Sequence, residues 1–113
     1  MKTIVAGSRN ISDYSSVSQI LRDHLKNITE IVSGAARGVD RLGELFGEAS
    51  SIPITRFPAD WDKYGKSAGH RRNAEMGNYA DALIAIWDGQ SKGTKNMIDY
   101  MTKLNKKVFV YKV

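Results

Sequence analysis

Five short runs of aliphatic and β-branched residues alternate with four segments in which apolar residues recur every three or four positions. Runs of this kind, apolar almost throughout, are strands buried on both faces, and strands that alternate with helices build a parallel sheet covered on both sides. The strands are expected at Lys2–Ala6, Glu30–Ser33, Ile52–Phe57, Ala82–Trp87 and Lys107–Val113. The helices are expected over about 13–26, 38–50 and 68–80, with a last one capped by Thr94 and turned inward through Met97, Ile98, Met101 and Leu104. Ser12 and Asp13 offer the first helix an N-cap, and Ser67 offers one to the third. Pro53 marks the third strand as an edge. Pro58 to Gly69 reads as a long irregular loop.

Right-handed crossovers leave few ways to join such elements, and the expected strand order is 3-2-1-4-5. The fold class is therefore α/β, a single Rossmann-like three-layer domain with a five-stranded parallel sheet. With 113 residues and no linker or repeat, one domain spans the chain. Ligands in such sheets sit beyond the carboxyl ends of the strands where the order reverses, here between strands one and four.

Cysteine is absent, which excludes disulfides and fits a reducing compartment. No apolar run reaches the roughly 20 residues needed to span a bilayer, so no membrane partner is expected. Met1 leads directly into a strand rather than a signal peptide, and a soluble cytoplasmic protein is the expectation.

The loops at the carboxyl ends hold nine cations: Arg9, Arg37, Arg41, Lys63, Lys66, Arg71, Arg72, Lys92 and Lys95. Asp40, Asp60, Asp62 and Asp88 oppose them, and the local excess equals the +5 of the whole chain. The excess thus gathers on one rim, which points to an anionic ligand. Ser33 to Asp40 is a strand-to-helix turn in which Gly34 and Gly38 open the backbone to a phosphate and Arg37 can add a bidentate contact. Ser33 opens that motif; Asp40 either favours the helix dipole or meets the ligand. Ser91, Lys92, Gly93 and Thr94 repeat this chemistry after strand four, and Asp88 suits a ribose hydroxyl. Gly7, Ser8 and Arg9 follow the central strand. Trp61, beside Asp60, and Trp87 can stack on a base. On the third helix Arg71, Arg72 and Glu75 share a face, so Arg72 could stabilise charge and Glu75 could act as a general base. His70 reads as structural or exposed, and His24 as exposed. No Ser-His-Asp arrangement, metal-ligand spacing, Walker A loop or Gly-x-Gly-x-x-Gly is present, so no metal or cofactor is expected.

Taken together, Gly7-Ser8-Arg9, Ser33 to Asp40, Phe57 to Trp61, Gly69 to Met76 and Trp87 to Thr94 resemble the YspA/YpsA-type branch of the SLOG superfamily. The resemblance implies a Rossmann-like domain that binds nucleotides or nucleotide-derived ligands as sensor, sink or signalling component, including in conflicts between bacteria and phages. It also implies that a homodimer is an option. The chain is similar as well to LOG-type phosphoribohydrolases, through His70 to Met76, Ala80-Asp81-Ala82 and Gly93-Thr94. That likeness puts the family's active-site arginine on Arg72, its neighbouring lysine on Asn73 and its catalytic glutamate on Met97. Proton transfer would then fall to Glu75, Asp60 or Asp99. Nucleotide N-glycoside hydrolysis is thus an alternative to plain binding. Ser33 to Asp40 further resembles a motif of the DNA-processing protein A family, which makes single-stranded DNA a second alternative. A compact basic rim favours a small nucleotide over an extended strand.

Overall fold

The central strand β1 (Lys2–Gly7) is buried from Thr3 to Ala6, as its run of Thr, Ile, Val and Ala requires. In the computed structural model, which describes all 113 residues, it pairs in parallel with β2 (Glu30–Ser33) on one side and with β4 (Ala82–Trp87) on the other. Strand β3 (Ile54–Arg56) adds outside β2 and β5 (Lys107–Lys112) outside β4, giving the order β3-β2-β1-β4-β5. The expected topology is the observed one, with β3 at an edge.

Helices α1 (Tyr14–Arg22) and α2 (Val39–Ala49) cover one face of the sheet. Val17, Leu21, Val39, Leu42 and Phe46 pack there against Val5, Ile31, Ile84 and Ile86. On the other face α4 (Ala68–Tyr79) and α5 (Lys92–Lys103) bring Met76, Met97 and Met101 against Ile4, Val32, Leu83 and Ala85. Alternate residues of each strand thus feed opposite cores. No helix is long and apolar enough to cross a membrane.

Five local expectations give way to side-chain chemistry. The first helix ends at Arg22 rather than running to 26, and a separate 3₁₀ turn covers Leu25–Asn27. Between them His24, expected to be exposed, is half-buried, with Nε2 2.6 Å from the Tyr111 hydroxyl and its ring 4.7 Å from that of Phe109. The loop after β3 is not wholly irregular. Asp60 caps a short helix α3 (Trp61–Tyr64) by accepting from Lys63 N at 3.1 Å, and Gly65 at φ 55° ends it. Ser67 does not cap α4; its hydroxyl donates to Tyr64 O and accepts from Arg71 Nε. Ser91, not Thr94, caps α5, because its Oγ accepts from Thr94 N and the helix begins one turn earlier than expected.

Candidate ligand cleft

The carboxyl ends of β1 and β4 open into a cleft of about 260 Å³. Gly7 and Arg9 enter it from the β1–α1 loop, and Ala36 and Asp40 from the β2–α2 turn. Trp61 and Lys66 stand at its mouth, both exposed. Helix α4 contributes Gly69, His70, Arg72, Asn73 and Met76, and the first turns of α5 contribute Ser91, Gly93, Thr94 and Met97. A second hollow of about 450 Å³ adjoins it over Gly34–Arg37, Pro58 and Ala59, and the two share Arg9, Ala36, Trp61 and Arg72.

The turn from Ser33 to Asp40 directs part of its anion-holding capacity to the protein itself. Ser33 Oγ is fully buried, donates to Glu44 at 2.6 Å and accepts from Ala35 N at 3.0 Å. Asp40 Oδ2 accepts from Ala36 N at 3.3 Å. Asp40 thus caps the turn, and it also lines the cleft. Gly38 is held at φ 79°, where a Cβ would come 2.6 Å from Arg9 Cα. That glycine lets the β1–α1 loop lie against the turn. Gly34 has a different reason: a Cβ there would come 2.6 Å from Arg72 Nη1 and 2.8 Å from Asp40 Oδ2. Its bare Cα leaves room for the two charged groups.

Arg72 is the centre of the cleft's electrostatics. Nε donates to Asn73 Oδ1 at 3.0 Å and Nη1 donates to Gly34 O. Two of its five N–H groups are thereby used, and no carboxylate lies within ion-pair distance of it. Burial lowers its pKa; Asp40 opposes that effect and the like charge of Arg9 adds to it. Asn73 is buried and holds the arrangement together, since Nδ2 donates to Gly93 O at 3.2 Å and to Asn96 Oδ1 at 2.9 Å. Asp40 is the one carboxylate in the cleft wall. Burial raises its pKa from 3.8 to about 6 against the pull of Arg72 and Ala36 N, with Glu44 reinforcing the rise.

Of the residues expected at the site, Gly7, Arg9, Asp40, Trp61, Arg72, Ser91, Gly93 and Thr94 line the cleft, and Gly34 and Arg37 line the adjoining hollow. The others lie outside both walls. Ser8 is buried and its Oγ accepts from Asp88 N. Asp88 in turn accepts from Gln90 N and Ser91 N, which lowers its pKa and shapes the turn before α5. Trp87 donates its indole N–H to Ser91 O. Asp60 is occupied in capping α3, Arg71 lies over the Tyr64 ring, and Lys92 is exposed at the start of α5. Glu75 is exposed and does not share the cleft with Arg72. The expected basic rim is also thinner: Arg41 reaches Glu44 and Glu48, and Lys95 reaches Asp99 at 2.8 Å.

The inward face of α4 runs through 69, 72, 73 and 76, one step round from the face expected. The buried Ala68, Asn73, Met76 and Gly77 set that phase. Met76 at four residues from Arg72 was the available signal, and pairing Arg72 with Glu75 obscured it. Met97 lies in the cleft, 1% exposed, where the LOG resemblance places an acid. A thioether there performs no proton transfer.

Residues 1–64 match the family model YAcAr, described as the YspA, cpYpsA-related SLOG family. The Gene 61 protein of Mycobacterium phage D29 is 32% identical over 104 residues, covering 84% of this chain and 83% of that protein. In three dimensions the fold is similar to that of DNA processing protein A from Streptococcus pneumoniae, with a TM-score of 0.79 and 19% identity over 96% of the chain. The chain spans about half the length of that structure, 49%. The family match reaches from β1 through the Ser33–Asp40 turn to the end of α3, and so includes Gly7, Arg9, Gly34, Asp40 and Trp61. The chain belongs to the YspA- and cpYpsA-related SLOG family.

Proposed function

We propose that the cleft binds a nucleotide or nucleotide-derived small molecule and that the protein acts through binding, as a sensor, sink or signalling component. The observation that carries this reading is Arg9 and Arg72, neither of them in an ion pair, on the wall of a hollow whose floor is Met76 and Met97. Cations there favour phosphate, and a thioether floor with a tryptophan at the rim favours a base or sugar face. The first amides of α5 and the hydroxyls of Ser91 and Thr94 are further donors for phosphate or ribose. The volume is near the lower end of small-molecule sites, roughly 300 Å³.

Hydrolysis of an N-glycosidic bond is less well supported. Glu75 faces away, Asp60 is a cap, Asp99 is paired with Lys95, and Met97 occupies the position that needs an acid. Single-stranded DNA is the second reading, favoured by the fold shared with DNA processing protein A and by exposed Arg9, Arg37, Lys63 and Lys66 beside Trp61.

Thermal-shift titration with AMP, NAD, ADP-ribose and cyclic nucleotides tests the proposal. A ligand at 100 times its Kd stabilises by about 2.7 kcal/mol, so a bound nucleotide raises Tm clearly, and Arg72→Ala abolishes the rise. Absence of any shift across the panel refutes nucleotide binding. A salt-steep gel shift with oligonucleotides in its place favours the DNA reading.

A further inference from the structure

Two hollows, not one, meet at the Arg9–Arg72 seam, and their linings differ. The inner one carries the methionine floor, the α5 start and Asp40. The outer one carries no carboxylate and has three guanidinium groups in its wall, those of Arg9, Arg37 and Arg72. Elsewhere in the chain arginines are tied down: Arg41 and Arg56 by Glu44 and Glu48, Arg22 by Ser18, Arg71 by Ser67. Arg9 and Arg37 make no side-chain hydrogen bond or ion pair, and Arg72 has only neutral acceptors. Arg9 and Arg72 line both hollows and repel each other, and an anion bound between them relieves that repulsion. A single phosphate at the seam satisfies that pair and leaves the larger outer hollow and Arg37 without a ligand group.

We propose that the ligand is a two-headed nucleotide, in which a diphosphate at the Arg9–Arg72 seam joins a nucleoside in the inner hollow to a second sugar or nucleoside in the outer one beside Arg37. This rests on the nucleotide-binding reading above and narrows it to a ligand class. The two phosphates supply enough acceptor oxygens for both guanidinium forks, and Arg37 extends the charge-assisted contacts outward.

Isothermal titration of AMP, ADP-ribose and a dT decamer against the wild type and Arg37→Ala tests this assignment. ADP-ribose is expected to bind at least tenfold more tightly than AMP, and Arg37→Ala to remove most of that advantage. Equal affinities for AMP and ADP-ribose overturn the two-headed ligand while leaving nucleotide binding standing, as does an unchanged ratio in Arg37→Ala. Binding of neither nucleotide overturns both readings. A decamer that binds more tightly than ADP-ribose and displaces it overturns the small-ligand class in favour of a polynucleotide.

Discussion

Replacing Asp40 by Asn removes the one buried carboxyl of the cleft while keeping an oxygen for Ala36 N. In the unfolded chain Asp40 loses its proton near pH 3.8; in the fold it holds it to about pH 6. Between those values the folded chain binds more protons than the unfolded one. The wild type therefore loses stability as pH rises from about 4 to about 6, and the loss then levels off. Each tenfold weakening of an acid is worth about 1.4 kcal/mol, so holding the Asp40 proton to about pH 6 rather than 3.8 costs the fold about 3 kcal/mol at neutral pH. With an unfolding entropy of about 2.1 cal/mol/K per residue, that is roughly 10 °C in Tm for a chain of this length. Asp40→Asn should equal the wild type near pH 4 and exceed it by about that amount at pH 8. Melting both proteins across this range isolates the effect, because Glu30 and Asp88, whose pKa values are lowered, are not coupled to Asp40 and cancel. Curves that stay parallel from pH 4 to pH 8 would refute the account of Asp40. A stability cost borne at a cleft wall is the kind of cost that function retains.

Other perturbations separate scaffold from site. Gly34→Ala pushes the flexible end of Arg72 aside, so nucleotide affinity should fall at least tenfold while Tm moves by a few degrees at most; an unchanged Kd by titration would contradict the role given to Arg72. Glu44→Ala leaves the buried Ser33 hydroxyl and Arg56 without their shared acceptor, and urea unfolding should show a loss of about 2–3 kcal/mol. Lys106→Met removes the ammonium that caps α4 at Gly77 O and Ala80 O, each at 2.7 Å, and should cost about 1–2 kcal/mol by the same assay with ligand affinity intact.

The strand order was legible because each strand is a near-continuous apolar run and the crossovers have one hand. Glycines and arginines at strand ends likewise marked the edge of the sheet at which the cleft opens. What the sequence could not convey was how polar side chains divide between ligand and protein. Ser33 and Asp88 have the chemistry of ligand contacts, yet Glu44 and the amides of Gln90 and Ser91 claim them. Those partners lie two to eleven positions away and depend on turn geometry that no periodicity records. The rotation of α4 by one residue was decided by Asn73, a polar residue buried because Gly93 O and Asn96 complete its hydrogen bonds. A hydropathy pattern counts such a residue as surface. Asn73 also marks a difference from the LOG resemblance, and in this fold it orients Arg72 rather than contributing charge.

The central claim is that a nucleotide sits in the cleft between the ends of β1 and β4. Titrating isotopically labelled protein with AMP and following backbone amide shifts tests it most directly. Saturable shifts are expected at Gly7, Gly34, Asn73 and Gly93, with Gly43 and Gly47, where α2 packs on Val5 and Ile31 outside the cleft wall, unmoved. Shifts centred instead on the small hollow around His24 and Phe109, or none at saturating AMP, would contradict it.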